Sequence, residues 1–179
     1  ISLTFHPDDS WKIATIASTG FHAPNIDDTG KLFYKGSILT IPNFNLEPEY
    51  ERTVELKITK KVNKRLLFNA NTYYTFIEDA IMRVNTNLDF QINQDEFFTE
   101  AKTNKITCNA ELYGATARAS LRIASNYTLE TDYTLIKGRN IDNDLPFTHI
   151  PPAFGKTAFY ADFDTWRASF FIMYNLSLI

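Results

Sequence analysis

Thr53-Val54-Glu55-Leu56-Lys57-Ile58-Thr59 alternates polar and apolar side chains without a break. Successive residues of a β-strand point to opposite faces, so Val54, Leu56 and Ile58 share one face and Thr53, Glu55, Lys57 and Thr59 the other. The same period of two continues on either side. Upstream, Ile1, Leu3 and Phe5 alternate with Ser2, Thr4 and His6 before the turn Pro7-Asp8-Asp9-Ser10, and residues 11–19 read as a returning strand. Downstream, past a tight turn at 62–64, Leu66, Phe68, Ala70, Tyr74 and Phe76 face one way and Asn69, Asn71, Tyr73 and Thr75 the other. The second face is too polar to be the core of a small sandwich.

The segment 105–123 changes parity partway. Ile106, Cys108, Ala110 and Leu112 hold the apolar register first, then Ala115, Ala117, Ala119, Leu121 and Ile123 hold it. One extra residue at Tyr113-Gly114 would restore a single face, and glycine suits such a position, so a β-bulge is predicted there. Tyr127, Leu129, Tyr133 and Leu135 alternate with Thr128, Glu130, Asp132 and Thr134, and a last strand pair is expected over 153–161 and 166–175.

Connections alternate in length: tight at 6–10, 61–65, 124–126 and 162–165, long at 20–48, 85–104 and 138–152. An up-and-down barrel in an outer membrane sorts its loops this way, with short turns on one rim and long loops on the other. The 179-residue chain is 15% aromatic, with Trp11, Tyr50, Tyr74, Tyr127, Tyr160, Trp166 and Tyr174 near strand ends, as interfacial girdles require. Inward polar residues would be Glu55, Asn69, Asn71, Glu111, Arg118, Arg122, Glu130 and Asp132. No apolar run approaches the roughly 18 residues of a membrane helix, so insertion has to be by strands. The net charge of −3 gives no reason to expect nucleic acid, and the single cysteine, Cys108, cannot form an intrachain disulfide. No catalytic motif is present, so an enzyme is not expected.

Three blocks carry a family likeness. They are Gly20-Phe21-His22-Ala23-Pro24-Asn25 with Asp27-Asp28; Ile41-Pro42-Asn43 with Asn45-Leu46-Glu47-Pro48-Glu49-Tyr50; and Leu145-Pro146-Phe147-Thr148-His149-Ile150-Pro151-Pro152-Ala153-Phe154-Gly155. In wording and order they resemble the barrel of TonB-dependent outer-membrane receptors, with His22 where that family usually has arginine. Tyr113-Gly114 is similar to a further strand position of the family. The resemblance implies an all-β chain of antiparallel up-and-down strands, about eight of them, forming part of a larger barrel of about 22 strands. Residues 1–179 are expected to be one segment from the C-terminal part of that barrel, with the plug and TonB-binding box outside it. The chain opens in mid-strand and ends at Leu176-Ser177-Leu178-Ile179 without the terminal aromatic of complete barrels, which fits that reading.

By the same resemblance, the complete receptor sits in the Gram-negative outer membrane. It takes up a scarce nutrient (siderophore, haem, cobalamin or an oligomeric nutrient), with outer-membrane lipid around it and TonB acting through the plug. Ligand contacts are expected in the long loops, with Phe21, His22, Phe33, Tyr34, Phe97 and Phe98 as candidates. Asp27 and Asp28 beside His22 are further candidates. Loop acids commonly fix turns, and adjacent residues of an extended segment point apart, so no metal site or cofactor is assigned to them. His6 reads as a turn residue, His149 as a strand entry, and the basic run 60–65 as a solvated or headgroup-contacting rim. Two other architectures use the same pattern: a self-contained eight-stranded membrane anchor or adhesin, and a soluble lipocalin-like carrier.

Overall fold

The computed structural model describes residues 1–35, 38–86, 91–93, 96–97, 100–147 and 150–176. In chain order the elements are β1 Ser2–Phe5, β2 Trp11–His22, α1 Ile26–Thr29, β3 Phe33–Lys35, β4 Ile38–Ile41, β5 Glu49–Lys61 and β6 Leu66–Thr86. They continue with β7 Gln91–Asn93, β8 Glu96–Phe97, β9 Glu100–Ala124, β10 Tyr127–Asn140, β11 Leu145–Pro146, β12 Ala153–Asp162 and β13 Arg167–Leu176. Eight of these form an antiparallel path, β1-β2-β5-β6-β9-β10-β12-β13, as the alternation predicts. The short elements β3, β4 and β11 attach at the long-loop end, where β4 pairs parallel to β9.

Cross-strand register assigns the faces. Ile13, Ile58, Ala70 and Ala117 lie in one transverse row, and Ala17, Val54, Tyr74 and Tyr113 in another on the same face. That face is apolar and exposed: Leu3 is 71% exposed, Val54 55% and Phe170 67%. Among the described residues no large side chain is fully buried, and the buried apolar ones are Leu39, Cys108 and alanines. A soluble two-layer domain would bury such a face against a second layer. A single sheet with an exposed apolar face and a polar back is the wall of a membrane barrel.

The two rims differ as the sequence predicts. At the short-turn end, Tyr127 stacks on Phe159 at 5.6 Å and meets Phe163 edge-on at 5.7 Å, and Phe163 stacks on Trp166 at 4.4 Å. Nearby, Lys60 Nζ lies 4.4 Å from the Trp11 ring centroid. Rings with a polar edge suit the boundary between hydrocarbon and water. In the Pro7–Ser10 turn, hydrogen bonds from the side chain and backbone of Ser10 hold the Asp8 carboxyl below its ordinary pKa. At the other end β6 and β9 run for 21 and 25 residues. A tilted membrane strand takes roughly 9 to 11, so both continue well beyond a bilayer.

Three expectations are corrected. First, pairing runs unbroken through Tyr113 and Gly114 on both sides, so there is no bulge there. The register shifts lie instead between Ile77 and Ile81 of β6, where Asp79 has φ 61°, and near the β9–β10 turn. Gly114 is needed for room, because a Cβ there would sit 2.7 Å from the Leu135 carbonyl oxygen and 2.9 Å from the Tyr73 ring. The change of apolar parity marks where the polar face ends. Above Gly114, Leu112 packs with Phe147 and Ile150 near Gly138, and Ala110, fully buried, clusters with Ile77, Met82 and Phe147.

Second, Glu111 shares the face of Tyr113 and Ala115 rather than the polar face. It accepts the Tyr74 hydroxyl at 2.7 Å and the Arg139 guanidinium, and Arg139 also reaches Asp144 at 2.8 Å. Such a group fits the polar edge of the membrane layer and is not a lumen residue. Third, Tyr160 shares parity with Lys156 on the polar face, so it does not belong to the outward girdle.

Candidate functional site at the outer strand ends

The first two sequence blocks meet at the long-loop end. Asn25 caps α1: its Oδ1 accepts from the backbone N of Asp27 at 2.7 Å and of Asp28 at 3.1 Å, while Asp28 returns an oxygen to the Asn25 N–H at 3.0 Å. This reciprocal capping box satisfies the free donors of the helix start. Asn43 holds the second block: its backbone N–H donates to Thr29 O at 2.8 Å and its Oδ1 accepts from the Asn45 N–H at 3.0 Å. Asn43 Nδ2 also donates to the backbone oxygen of Asn104 at 2.9 Å.

Asn104, 8% exposed, joins the two blocks to the wall. Its Nδ2 donates to Asp28 O at 2.9 Å, and its Oδ1 accepts from Arg83 Nε at 3.4 Å. Thr103 Oγ1 donates to Ile41 O at 3.1 Å, and Leu39, Thr40, Ala101 and Thr103 are buried along the parallel seam of β4 and β9. The segment after β2 is thus seated on the outer half of β9. Nothing local in the sequence marks Asn104; its role arises from pairing across 76 residues.

His22 lies between two carboxylates, with Nδ1 2.9 Å from Glu49 Oε2 and Nε2 3.8 Å from Asp28 Oδ2. Glu49 Oε1 accepts from the Ile81 N–H, where the β6 register recovers from its bulge. One glutamate therefore ties the start of β5, the end of β2 and the β6 irregularity together. The two ring nitrogens point in different directions, so the acids do not converge on one position. Among the described residues no group of three or more His, Cys, Asp or Glu is arranged to hold a metal ion.

The candidate ligand residues separate. Phe21 and His22 occupy the last two positions of β2 rather than a loop, and Phe21, 70% exposed, packs with Tyr50 at 6.5 Å between centroids. Asp27 and Asp28 lie in a helical turn, not an extended segment; Asp28 serves the cap and Asp27 faces Lys31 at 3.9 Å. Phe33 and Tyr34 project from the β3–β4 hairpin, 51% and 67% exposed. Phe97 lies in β8, which pairs with β7 as a separate two-stranded piece. Phe98 and His149 lie outside the described residues.

A two-faced sheet with an aromatic rim, short turns at one end and seated loops at the other defines a segment of outer-membrane barrel wall. A family model described as TonB dependent receptor-like, beta-barrel, matches residues 1–177, and the chain belongs to this family. The iron-regulated outer membrane virulence protein of Vibrio cholerae serotype O1 is 28% identical over 132 residues, covering 71% of this chain and 20% of that protein. The copper transporter OprC superposes with a TM-score of 0.76 at 15% identity, covering 96% of this chain and 25% of its own. The Serratia marcescens hemophore receptor HasR, solved as a double mutant with its hemophore HasA and heme, gives 0.74 at 16% identity, covering 97% and 31%. The chain thus spans about a fifth of the curated relative and a quarter to a third of the solved ones. It is an outer-membrane protein of a Gram-negative bacterium, from a family of transporters and receptors rather than enzymes.

Proposed function

We propose that this chain is a late barrel section of a receptor that imports an iron-bearing complex, siderophore or haem, with energy delivered through TonB. The family match over residues 1–177 carries the reading. The iron-regulated relative and the heme-bound hemophore receptor favour iron among the possible nutrients. In this proposal residues 1–179 form one stretch of barrel, and the plug that TonB engages lies elsewhere in the receptor. The β3–β4 hairpin presents Phe33 and Tyr34 to the cargo, with Phe97 and Phe98 contributing from the loop between β6 and β9. His22, Asp27 and Asp28 shape the loop base.

The expected result is a growth defect on a single iron source. A strain lacking the receptor should grow normally on inorganic iron and fail on one chelate or on haem, and deleting TonB should reproduce the defect in a receptor-positive strain. Phe33→Ala with Tyr34→Ala should reduce uptake of that source about tenfold at unchanged receptor abundance. Uptake that persists without TonB would overturn the proposal.

A further inference from the structure

His22 joins three elements through one titratable ring. It closes β2, Glu49 opens β5, and α1 supplies Asp28. Nδ1 lies 2.9 Å from Glu49 Oε2 and Nε2 3.8 Å from Asp28 Oδ2, so each nitrogen faces a different carboxylate. A neutral imidazole has one N–H and one bare lone pair, and it can serve only one of two such acceptors. The other nitrogen then turns its lone pair toward a carboxylate oxygen. The imidazolium has two N–H groups and serves both.

The surroundings are acidic. On β5, Glu51 shares the face of Glu49, and its Oε1 would lie 2.7 Å from a Cβ placed at Gly20, two residues before His22. On α1, Asp27 stands beside Asp28 and faces Lys31 at 3.9 Å. On β6, Glu78 is held by Arg52 at 2.8 Å, and Asp79 follows it at the register shift. Among the described residues no lysine or arginine pairs with Glu49 or Asp28, which leaves the imidazole as their cation. Water screens this group only in part, since the Asp28 and Glu49 side chains are 24% and 21% exposed. Both acids are also anchored: Glu49 Oε1 accepts the Ile81 N–H, and Asp28 Oδ2 accepts the Asn25 N–H at 3.0 Å. A change of charge on the ring is therefore felt between fixed points rather than absorbed by side-chain rotation.

We infer that His22 is a pH-sensitive latch for the segment 23–48: the imidazolium clips α1 to the ends of β2 and β5, and loss of its proton loosens the seat. Imidazole is the side chain whose ordinary charge change falls between pH 5 and 8, and ordinary carboxyls are already ionised above about pH 5.5. The seated segment favours the protonated ring, so by linkage acid favours the seated segment, and the seat weakens as pH rises through the imidazole range. The inference concerns seating alone and stands whichever cargo the β3–β4 hairpin meets.

Limited proteolysis of the intact receptor in outer membranes tests it. Proteinase K cutting within 23–48 is followed from pH 5.5 to 8, each rate being divided by that on heat-denatured receptor at the same pH. Cutting should be about fivefold slower at pH 5.5 than at pH 8, and the change should follow a single proton. His22→Gln, which never carries charge, should be cut at every pH as fast as the unsubstituted receptor at pH 8. His22→Arg, a permanent cation, should be cut slowly throughout. Asp28→Asn keeps an oxygen for the Asn25 N–H and should flatten the profile, so it reads the latch even if the His22 variants fail to assemble. A flat profile in the unsubstituted receptor, or a pH step that persists in His22→Gln or in Asp28→Asn, would overturn the inference. Iron uptake is read separately, so loss of the latch leaves the transport result standing.

Discussion

A receptor carrying Gly155→Val should fail to assemble, and its heat-modifiable band should disappear from outer-membrane preparations. Gly155 pairs with Tyr174 across β12 and β13, and a Cβ there would lie 2.5 Å from the Asp132 carbonyl oxygen and 2.5 Å from the Tyr174 ring. The ring cannot swing away freely, because the Tyr174 hydroxyl donates to that same Asp132 oxygen at 3.2 Å. Forcing extra carbon into a packed site costs typically about 1–3 kcal/mol, and here a backbone oxygen blocks the simplest relief. A valine adds two methyl groups to that clash, so the expected fall in folded receptor is tenfold or more. Thr157→Val, one row along the same strand, removes only the exposed hydroxyl contact with Thr131 and should leave assembly within twofold. Semi-native electrophoresis of heated and unheated samples measures both.

Asn104→Ala should release the seated loop without unfolding the wall. The substitution removes the Nδ2 donor to Asp28 O and the acceptor for Arg83 Nε, leaving a polar group on each side without its partner. The part-buried Asp28 oxygen carries the cost, about 1–3 kcal/mol, because Arg83 is exposed and its guanidinium can turn to water. A loss of about 2 kcal/mol raises the population of the released loop roughly thirtyfold. Limited proteolysis should therefore cut within 23–48 about thirty times faster, with the heat-modifiable band unchanged. Asn25→Ala, which removes only the cap of a one-turn helix, should accelerate cutting less, by a few-fold.

The wall was legible because its signal is local and repeated. Alternation at 53–59 and 66–76 fixes both faces of β5 and β6 before any contact is known, and the rim sorting of loops follows from where turn residues cluster. The site was legible only in part. The Asn25 and Asn43 blocks stand out in the sequence, and the structure explains them as a helix cap and a turn brace. Asn104 does not stand out, because its bonds to Asp28 and Asn43 depend on β4 lying parallel to β9. Gly114 suggests a bulge in the sequence for a related reason. A glycine within a strand signals either a bulge or a close neighbour, and only cross-strand pairing with Tyr73 separates the two. The parity change at 105–123 was real, but it marks where folded-in loop residues Phe147 and Ile150 replace water against Leu112 and Gly138.

Single nitroxide labels placed in turn at residues 113 and 115 to 123 of β9, leaving the close-packed Gly114 untouched, in receptor reconstituted into lipid vesicles, test the membrane-wall assignment most directly. Collision with oxygen, which concentrates in hydrocarbon, should peak at 113, 115, 117, 119 and 121, and collision with a water-soluble nickel chelate at 116, 118, 120 and 122. A flat profile, or one with the two sets exchanged, would show that the apolar face does not meet lipid and would contradict the account.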